Sequence, residues 1–261
     1  MKKPPGRACV TASGVLVRPL EESDRPAAGV VLAAAFPDKL TAMVGDRRGL
    51  ARALRGEPPE YPFAAALFAD LVHTEDPPAV WVAERDGSVV GVVEVRDPDR
   101  LAARPPVRRI LRRHLGPWRA LRALVFQTIF HVAPLSADRL HVDAVAVHPA
   151  AQGGGVGSAM TRFVLEEAAR RGKLAVTLYC IDRNEGARRL YRRLGFVVWR
   201  HERLWALRPI LGFSATDLMR AEVAAGVEGE HARIVDVPAQ RDNGAGAAAQ
   251  VSSSDTGTRL V

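Results

Sequence analysis

His141 and Asp143 stand two apart in "LHVDAVAV" (140–147), a run whose alternating residue types read as a β-strand. Residues i and i+2 of a strand share a face, so the imidazole, the carboxylate and Val145 are expected to look into one space. An imidazole with an ordinary pKa of about 6.5 suits proton abstraction near neutrality, whereas a carboxylate at about 3.9 must first be raised by burial. His141 is therefore the expected base, with Asp143 its orienter or substitute. The plainer alternative is two polar contacts within a sheet.

The strand runs into "VHPAAQGGGVGSAM" (147–160), where Gly153, Gly154, Gly155 and Gly157 fall within five positions. Glycine has the most backbone freedom to lose on folding, so such a cluster implies positive φ or close approach of a ligand to bare main chain. The following "SAMTRFVLEEAARRG" has helical spacing, and the N–H groups that open a helix attract anions, phosphate above all. A Walker loop requires Gly-Lys followed by Ser or Thr, and the loop has no lysine. A dinucleotide fingerprint requires GxGxxG directly after its strand. Here "HPAAQ" intervenes, Ser158 or Met160 stands at the third small position, and Asp182 would have to serve the ribose without a second βαβ half. What fits is QxxGxG, formed by Gln152, Gly155 and Gly157.

With "DAVAVHP" before that motif and "NEGARRLYRRLGF" after it, the chain resembles the GCN5-related N-acetyltransferase family, over roughly residues 15–223 and most closely over 140–198. The resemblance implies an α+β fold, a mixed and mostly antiparallel central sheet flanked by helices. It implies acetyl-CoA as acyl donor, an amine acceptor, no metal, and direct transfer without an acyl-enzyme. Pyrophosphate binding falls on Gln152, Gly153, Gly154, Gly155, Val156, Gly157 and Ser158. Pairing with the pantetheine arm falls on Val145, Ala146 and Val147, with Asn184 as a hydrogen-bond partner of that arm. Tyr191 takes the place of the tyrosine that protonates the departing thiolate, and Glu94 that of a second base acting through water. An amine with a pKa of about 10.4 is neutral in only about one molecule in a few thousand at neutral pH, so a base is needed. A backbone N–H at or beside Val147 is the expected oxyanion donor. Blander roles stand beside these: a glycine-rich turn, a packed aromatic at Tyr191, a helix N-cap at Asn184, an exposed strand carboxylate at Glu94. Cys180 is expected to pack as a small apolar residue.

The elements that must position these groups are legible in order. "GVLVR" reads as a strand and "EESDRPAAGVVLAAAF" as a helix with acidic residues in its first turn. "VWVAERDGSVVGVVEVR" reads as a hairpin around Asp-Gly, "LAVTLYC" as a strand, "NEGARRLYRRLG" as a helix and "FVVWRHERLWAL" as a strand. Residues 14–225 form the expected domain, with helical enlargements at 38–78 and 97–138; residues 1–13 are expected to be a disordered lead-in and 226–261 a disordered tail.

Arg96 to Arg122 includes nine arginines against Asp97 and Asp99, interleaved with Val107, Ile110, Leu111, Leu115 and Trp118. We expect a helical face that covers the protein's own sheet with its arginines in water, and a second expectation is that the segment walls the acceptor pocket. Peripheral membrane contact through residues 104–132 is the less favoured reading, and nucleic acid is not expected. At 261 residues, 48% apolar and a net charge of +8, the chain has material for a full core and a bias toward anionic partners. Cys9 and Cys180 supply neither a disulfide framework nor a metal cluster, no apolar run approaches the roughly 18 residues of a spanning helix, and the cytoplasm is the expected location. The function read from these residues is acetyl transfer to a primary amine. Its rival is a non-catalytic acyl-CoA sensor or membrane-surface adaptor of the same fold.

Overall fold

In the computed structural model, which describes residues 9–10, 14–53, 55, 61–74, 79–100, 106–130, 136–205, 208, 213–223 and 234–235, the strands form one sheet. They are β1 (Cys9–Val10), β2 (Leu16–Pro19), β3 (Val80–Arg85), β4 (Ser88–Arg96), β5 (Arg139–Val147), β6 (Ala175–Ile181), β7 (Val197–Arg203), β8 (Ala215–Val223) and β9 (Ile234–Val235). The order is β1-β2-β3-β4-β5-β6-β8-β7, with β9 paired to β8. Among the described residues every pairing is antiparallel except β5 with β6. This is the mixed, mostly antiparallel α+β architecture expected.

Local chemistry explains the elements nearest the site. The β3–β4 hairpin turns on Asp86 and Gly87, both at positive φ (52° and 74°), as a two-residue turn matched to strand twist demands. Helix α1 (Arg25–Ala35) starts with proline in its first turn, where the missing N–H costs nothing. It is followed by α2 (Pro37–Val44), α3 (Arg47–Ala53) and α4 (Ala64–Leu71). Helix α6 (Val156–Arg170) buries Val156, Ala159, Met160, Phe163, Val164 and Ala168, spaced to form one stripe. Helix α7 (Glu185–Arg193) is capped by Asn184, whose Oδ1 accepts from the Ala187 N–H at 3.0 Å.

The sheet is buried on both faces. Trp81, Leu140, Val142, Met160, Phe163 and Phe196 fill the core beneath α6 and α7. Val80, Val82, Val92, Leu67, Phe68 and Leu111 fill the core on the other face, beneath α1, α2, α4 and α5 (Val107–Phe130).

Four features depart from the sequence reading. Helix α5 breaks at Gly116 (φ 73°), which precedes Pro117. The lead-in of residues 1–13, expected to be disordered, contributes β1, and the tail of residues 226–261 contributes β9, which pairs Val223 with Ile234; the remainder of both segments lies outside the described residues. Strand β8 carries no counterpart in the sequence reading, yet it is interior, between β6 and β7. Finally, β5 does not alternate regularly, for a reason given below.

Candidate active site

The site begins where β5 leaves β6. Their parallel pairing runs from Arg139 with Ala175 to Val142 with Leu178 and goes no further, although β5 continues to Val147 and β6 to Ile181. On its other edge β5 stays paired with β4, from Arg96 with His141 to Gly91 with Val147, but the register slips between Glu94 and Val95. Glu94 faces Ala144 and Val95 faces Val142, so Asp143 is the extra residue of a bulge. Val142 and Val145 consequently both pack toward the α6 core. The expectation that Val145 shares a face with His141 and Asp143 therefore fails: the bulge consumes one step of the alternation.

A cavity of about 600 Å³ occupies this fork. Cys180 and Tyr191 on its wall belong to the α6–α7 core, whereas Phe36, Ile181 and Phe213 belong to the α1–α2 side, so the space passes through the sheet. His148 N–H donates to Val90 O at 2.9 Å, which makes Gly91–Val147 a non-hydrogen-bonded pair with β4. By strand alternation the N–H groups of Val145 and Val147 then point away from β4, into the fork.

At the end of β5 the chain turns through Pro149–Ala151 into the glycine loop. Gly153 and Gly155 have φ of 77° and 80°, a region that penalises side chains, and Gly155 is the N-cap of α6. The first rung of the helix is Ala159 N–H to Gly155 O at 2.9 Å. The N–H groups of Val156, Gly157 and Ser158 precede the ladder and, with the helix dipole, form an anion-seeking cluster. Gln152 to Gly155 are exposed. The Gln152 side chain donates to Val147 O at 3.3 Å, tying the loop to the strand it follows. Arg85, from the hairpin, donates to Gly154 O at 2.5 Å, and a Cβ at Gly154 would stand 2.6 Å from its guanidinium. Bare donors, left-handed glycines and a cation at the rim suit a diphosphate.

His141 is 3% exposed, with Nδ1 3.0 Å from Thr177 Oγ1. The Thr177 hydroxyl gives its own proton to Leu140 O at 3.3 Å, so it accepts from Nδ1–H, which leaves the ring's lone pair on Nε2. Asp143 does not orient the ring by a hydrogen bond: its Oδ1 is 3.8 Å from Nε2. Its two oxygens instead accept from Arg96, Nε at 2.9 Å and the second nitrogen closer. Thr177 is the ring's orienter, a residue absent from the sequence reading because strand pairing alone brings it beside His141.

Tyr191, 8% exposed on α7, lines the cavity. Burial, with the neighbouring Cys180 thiol adding to it, pushes its phenol pKa well above the ordinary value and keeps the proton on oxygen. Burial likewise pushes the Cys180 thiol up to about 11, so at neutral pH it is a protonated, packed group and not a thiolate. Asn184 caps α7 and lines the cavity. Glu94 is half-buried on β4 and is not among the cavity's lining residues.

The cavity wall also holds residues that sequence reasoning passed over. Tyr179 and Arg200 flank Leu218 of β8 in one row, and Glu202 lies opposite Thr216 in the next. The Tyr179 hydroxyl donates to Glu202 Oε1 at 3.2 Å, and Arg200 donates to the same oxygen. Phe36 and Lys39, at the junction of α1 and α2, close the opposite wall. Strand β8 also supplies Asp217, 1% exposed, which pairs with Arg188 of α7 and lies 2.6 Å from His201 Nδ1. Only a strand–helix–strand–strand register could have revealed these partners. Helix α5 does not wall the cavity: among the described residues no position from 97 to 130 lines it. Its Leu111, Leu115, Ala120 and Ala123 pack beneath the sheet, while Arg108, Arg109, Arg112 and Arg113 face solvent. No helix among the described residues is long and apolar enough to cross a membrane.

Comparison with known proteins agrees with this geometry. Residues 47–196 match the model of the Acetyltransferase (GNAT) family. A stretch of 77 residues, 27% of this chain, is 45% identical to 23% of the mycothiol acetyltransferase of Streptosporangium roseum. A stretch of 65 residues, 24% of the chain, is 42% identical to 21% of the mycothiol acetyltransferase of Streptomyces scabiei. The chain thus matches less than a quarter of the length of these curated relatives. In fold it resembles the polyamine N acetyltransferase of Drosophila melanogaster, with a TM-score of 0.50, 16% identity, and 80% of this chain against 100% of that one. An agmatine N-acetyltransferase gives a TM-score of 0.50 and 17% identity, over 80% of this chain and 99% of the other.

Proposed function

The chain belongs to the GNAT acetyltransferase family, and from that premise we propose that it moves an acetyl group from acetyl-CoA to a primary amine by direct attack in a ternary complex. The observation that carries this reading is the fork between β5 and β6, with a glycine-opened helix at one tip and Tyr191 at the other. The diphosphate of the donor binds the N–H groups of Val156, Gly157 and Ser158, with Gln152 and the glycines holding the loop. The Val145 and Val147 N–H groups take the donor arm as they would an added strand, which brings the thioester into the cavity. Asn184 holds the arm from the α7 side.

The acceptor enters from the α1–α2 side. His141 takes the amine proton on Nε2, and the nitrogen then bonds to the carbonyl carbon. A strand N–H of the fork meets the developing negative charge on oxygen; such a donor is worth about 3 kcal/mol in other enzymes. As the carbon–sulfur bond breaks, the nitrogen sheds its second proton to solvent, and Tyr191 passes its proton to sulfur and regains one from solvent. Asp143, neutralised by Arg96, and Glu94, away from the cavity wall, have weaker claims to the base role. The catalytic domain we infer spans residues 14–225. A cytoplasmic setting suits the free thiol of Cys180.

Acetyl-CoA is expected to raise the melting temperature of the protein, and Gly155→Glu, which puts a side chain and a charge at a left-handed N-cap, to remove the shift. Wild-type protein that gains no stability from acetyl-CoA would refute donor binding. Donor binding without thiol release across an amine panel would favour the sensor or adaptor reading, for which the 83% exposed Trp118 on basic α5 speaks.

A further inference from the structure

Among the described residues the charges around this cavity are not balanced. Lys39 and Arg200 line it, against Asp143 and Glu202. Each carboxylate already receives an arginine: Asp143 is held by Arg96, a further cation just behind the wall, and Glu202 by Arg200. Tyr179 adds a second hydrogen bond to Glu202. Lys39 stands at the opposite wall with its ammonium 5.6 Å from the centre of the Phe36 ring, a contact that holds the charge at the cavity, and no anion among the described residues pairs with it. The same cavity is lined by the apolar side chains of Phe36, Leu204 and Phe213.

We propose that the acceptor of this chain is an amine that also carries an anionic group, a carboxylate or a phosphate, separated from the nitrogen by an apolar spacer, with Lys39 as the seat of the anion. The proposal rests on the acetyl-transfer reading for its orientation, since the amine must reach His141 while the anion reaches Lys39. A second ammonium, as in a diamine, would enter a space where, among the described residues, cations outnumber carboxylates and both carboxylates are already paired, and like charges in such a space repel. The acceptor class differs accordingly from the polyamines named for one of the structural neighbours.

The test uses four amines of equal spacer, 6-aminohexanoate, 6-aminohexyl phosphate, hexylamine and 1,6-diaminohexane, and measures their dissociation constants on the full chain saturated with CoA. The two anionic amines are expected to bind most tightly, hexylamine on the order of tenfold more weakly, and diaminohexane weakest. The carboxylate and phosphate arms tell which anion is preferred. Lys39→Met should flatten the order and Lys39→Glu should invert it, with circular dichroism confirming that both variants are folded. An order that is flat or led by diaminohexane in the wild type, or that is unmoved by Lys39→Glu, overturns the proposal. Turnover with acetyl-CoA is read separately. If no amine is acetylated while the binding order stands, the acetyl-transfer reading fails and the anion seat does not.

Discussion

The His141 ring is held by a hydroxyl and not by a carboxylate. Because Thr177 spends its proton on Leu140 O, the ring must donate from Nδ1, and Nε2 is the basic atom. His141→Gln removes a base while keeping a side chain of similar polarity. It is expected to lower kcat/KM by about 10²- to 10³-fold and to abolish the acidic limb of the pH–rate profile, with the acetyl-CoA melting shift retained. Thr177→Val should act in the same direction through the ring's tautomer, and more weakly. A His141→Gln enzyme of normal rate would remove the histidine from the mechanism. Tyr191 tests the other proton. Burial keeps its phenol protonated, so Tyr191→Phe should lower kcat at least tenfold and leave the KM for acetyl-CoA little changed. The types and order of His141, Asn184 and Tyr191 were legible because each is local to one element. Thr177 and Arg96 were not, since each meets its partner across a strand pairing that spacing along the chain does not encode.

At the scale of elements, the bulge at Asp143 is what makes the fork. It moves Val145 to the α6 side and presents the β5 edge beyond Val142 to the cavity rather than to β6. The Arg96–Asp143 pair fastens the bulged segment to β4, with side-chain exposures of 7% and 16%. Truncating one member of so buried a pair strands the other's charge, so Asp143→Ala is expected to cost about 3 kcal/mol in urea unfolding. Adding Arg96→Met should recover much of that, because no lone charge is then left behind. If the double variant were as unstable as the single one, the bulge would need another explanation. The Asp86-Gly87 hairpin, the glycine loop and the α7 cap could all be read from short signals with a fixed backbone requirement. The bulge could not, since nothing in "HVDAV" marks the extra residue. Strand β8 escaped because "ATDLMRAEV" is an interior strand buried almost throughout, lacks a clean alternation, and leads into an alanine- and glycine-rich tail.

For the whole molecule, a sheet covered on both faces commits titratable groups to burial. Asp24, hydrogen-bonded by Arg18, is held below the usual carboxylate range. Burial alone would raise Asp97 and Glu167, but hydrogen bonds from Lys173 and Arg171 to the first, and from Arg170 and Arg171 to the second, outweigh it and hold both low. Their contribution to stability is present above the unfolded carboxylate pKa of about 4 and is lost as pH falls through the lower folded values. On the alkaline side the sign reverses. Burial pushes Cys180 from 9.0 to about 11 and Tyr191 upward from 10.0, so the unfolded chain releases these protons first. Stability is therefore full below about pH 9 and declines as pH rises toward 11, by at most about 3 kcal/mol from Cys180. Urea midpoints measured from pH 8 to 11 should fall in the wild type and fall less steeply in Cys180→Ala, which has no thiol to ionise. Parallel slopes for the two proteins would mean that the thiol is not buried as described, and with it that the wall between β6 and α7 is more open to water than the packing of Cys180 against Tyr191 requires.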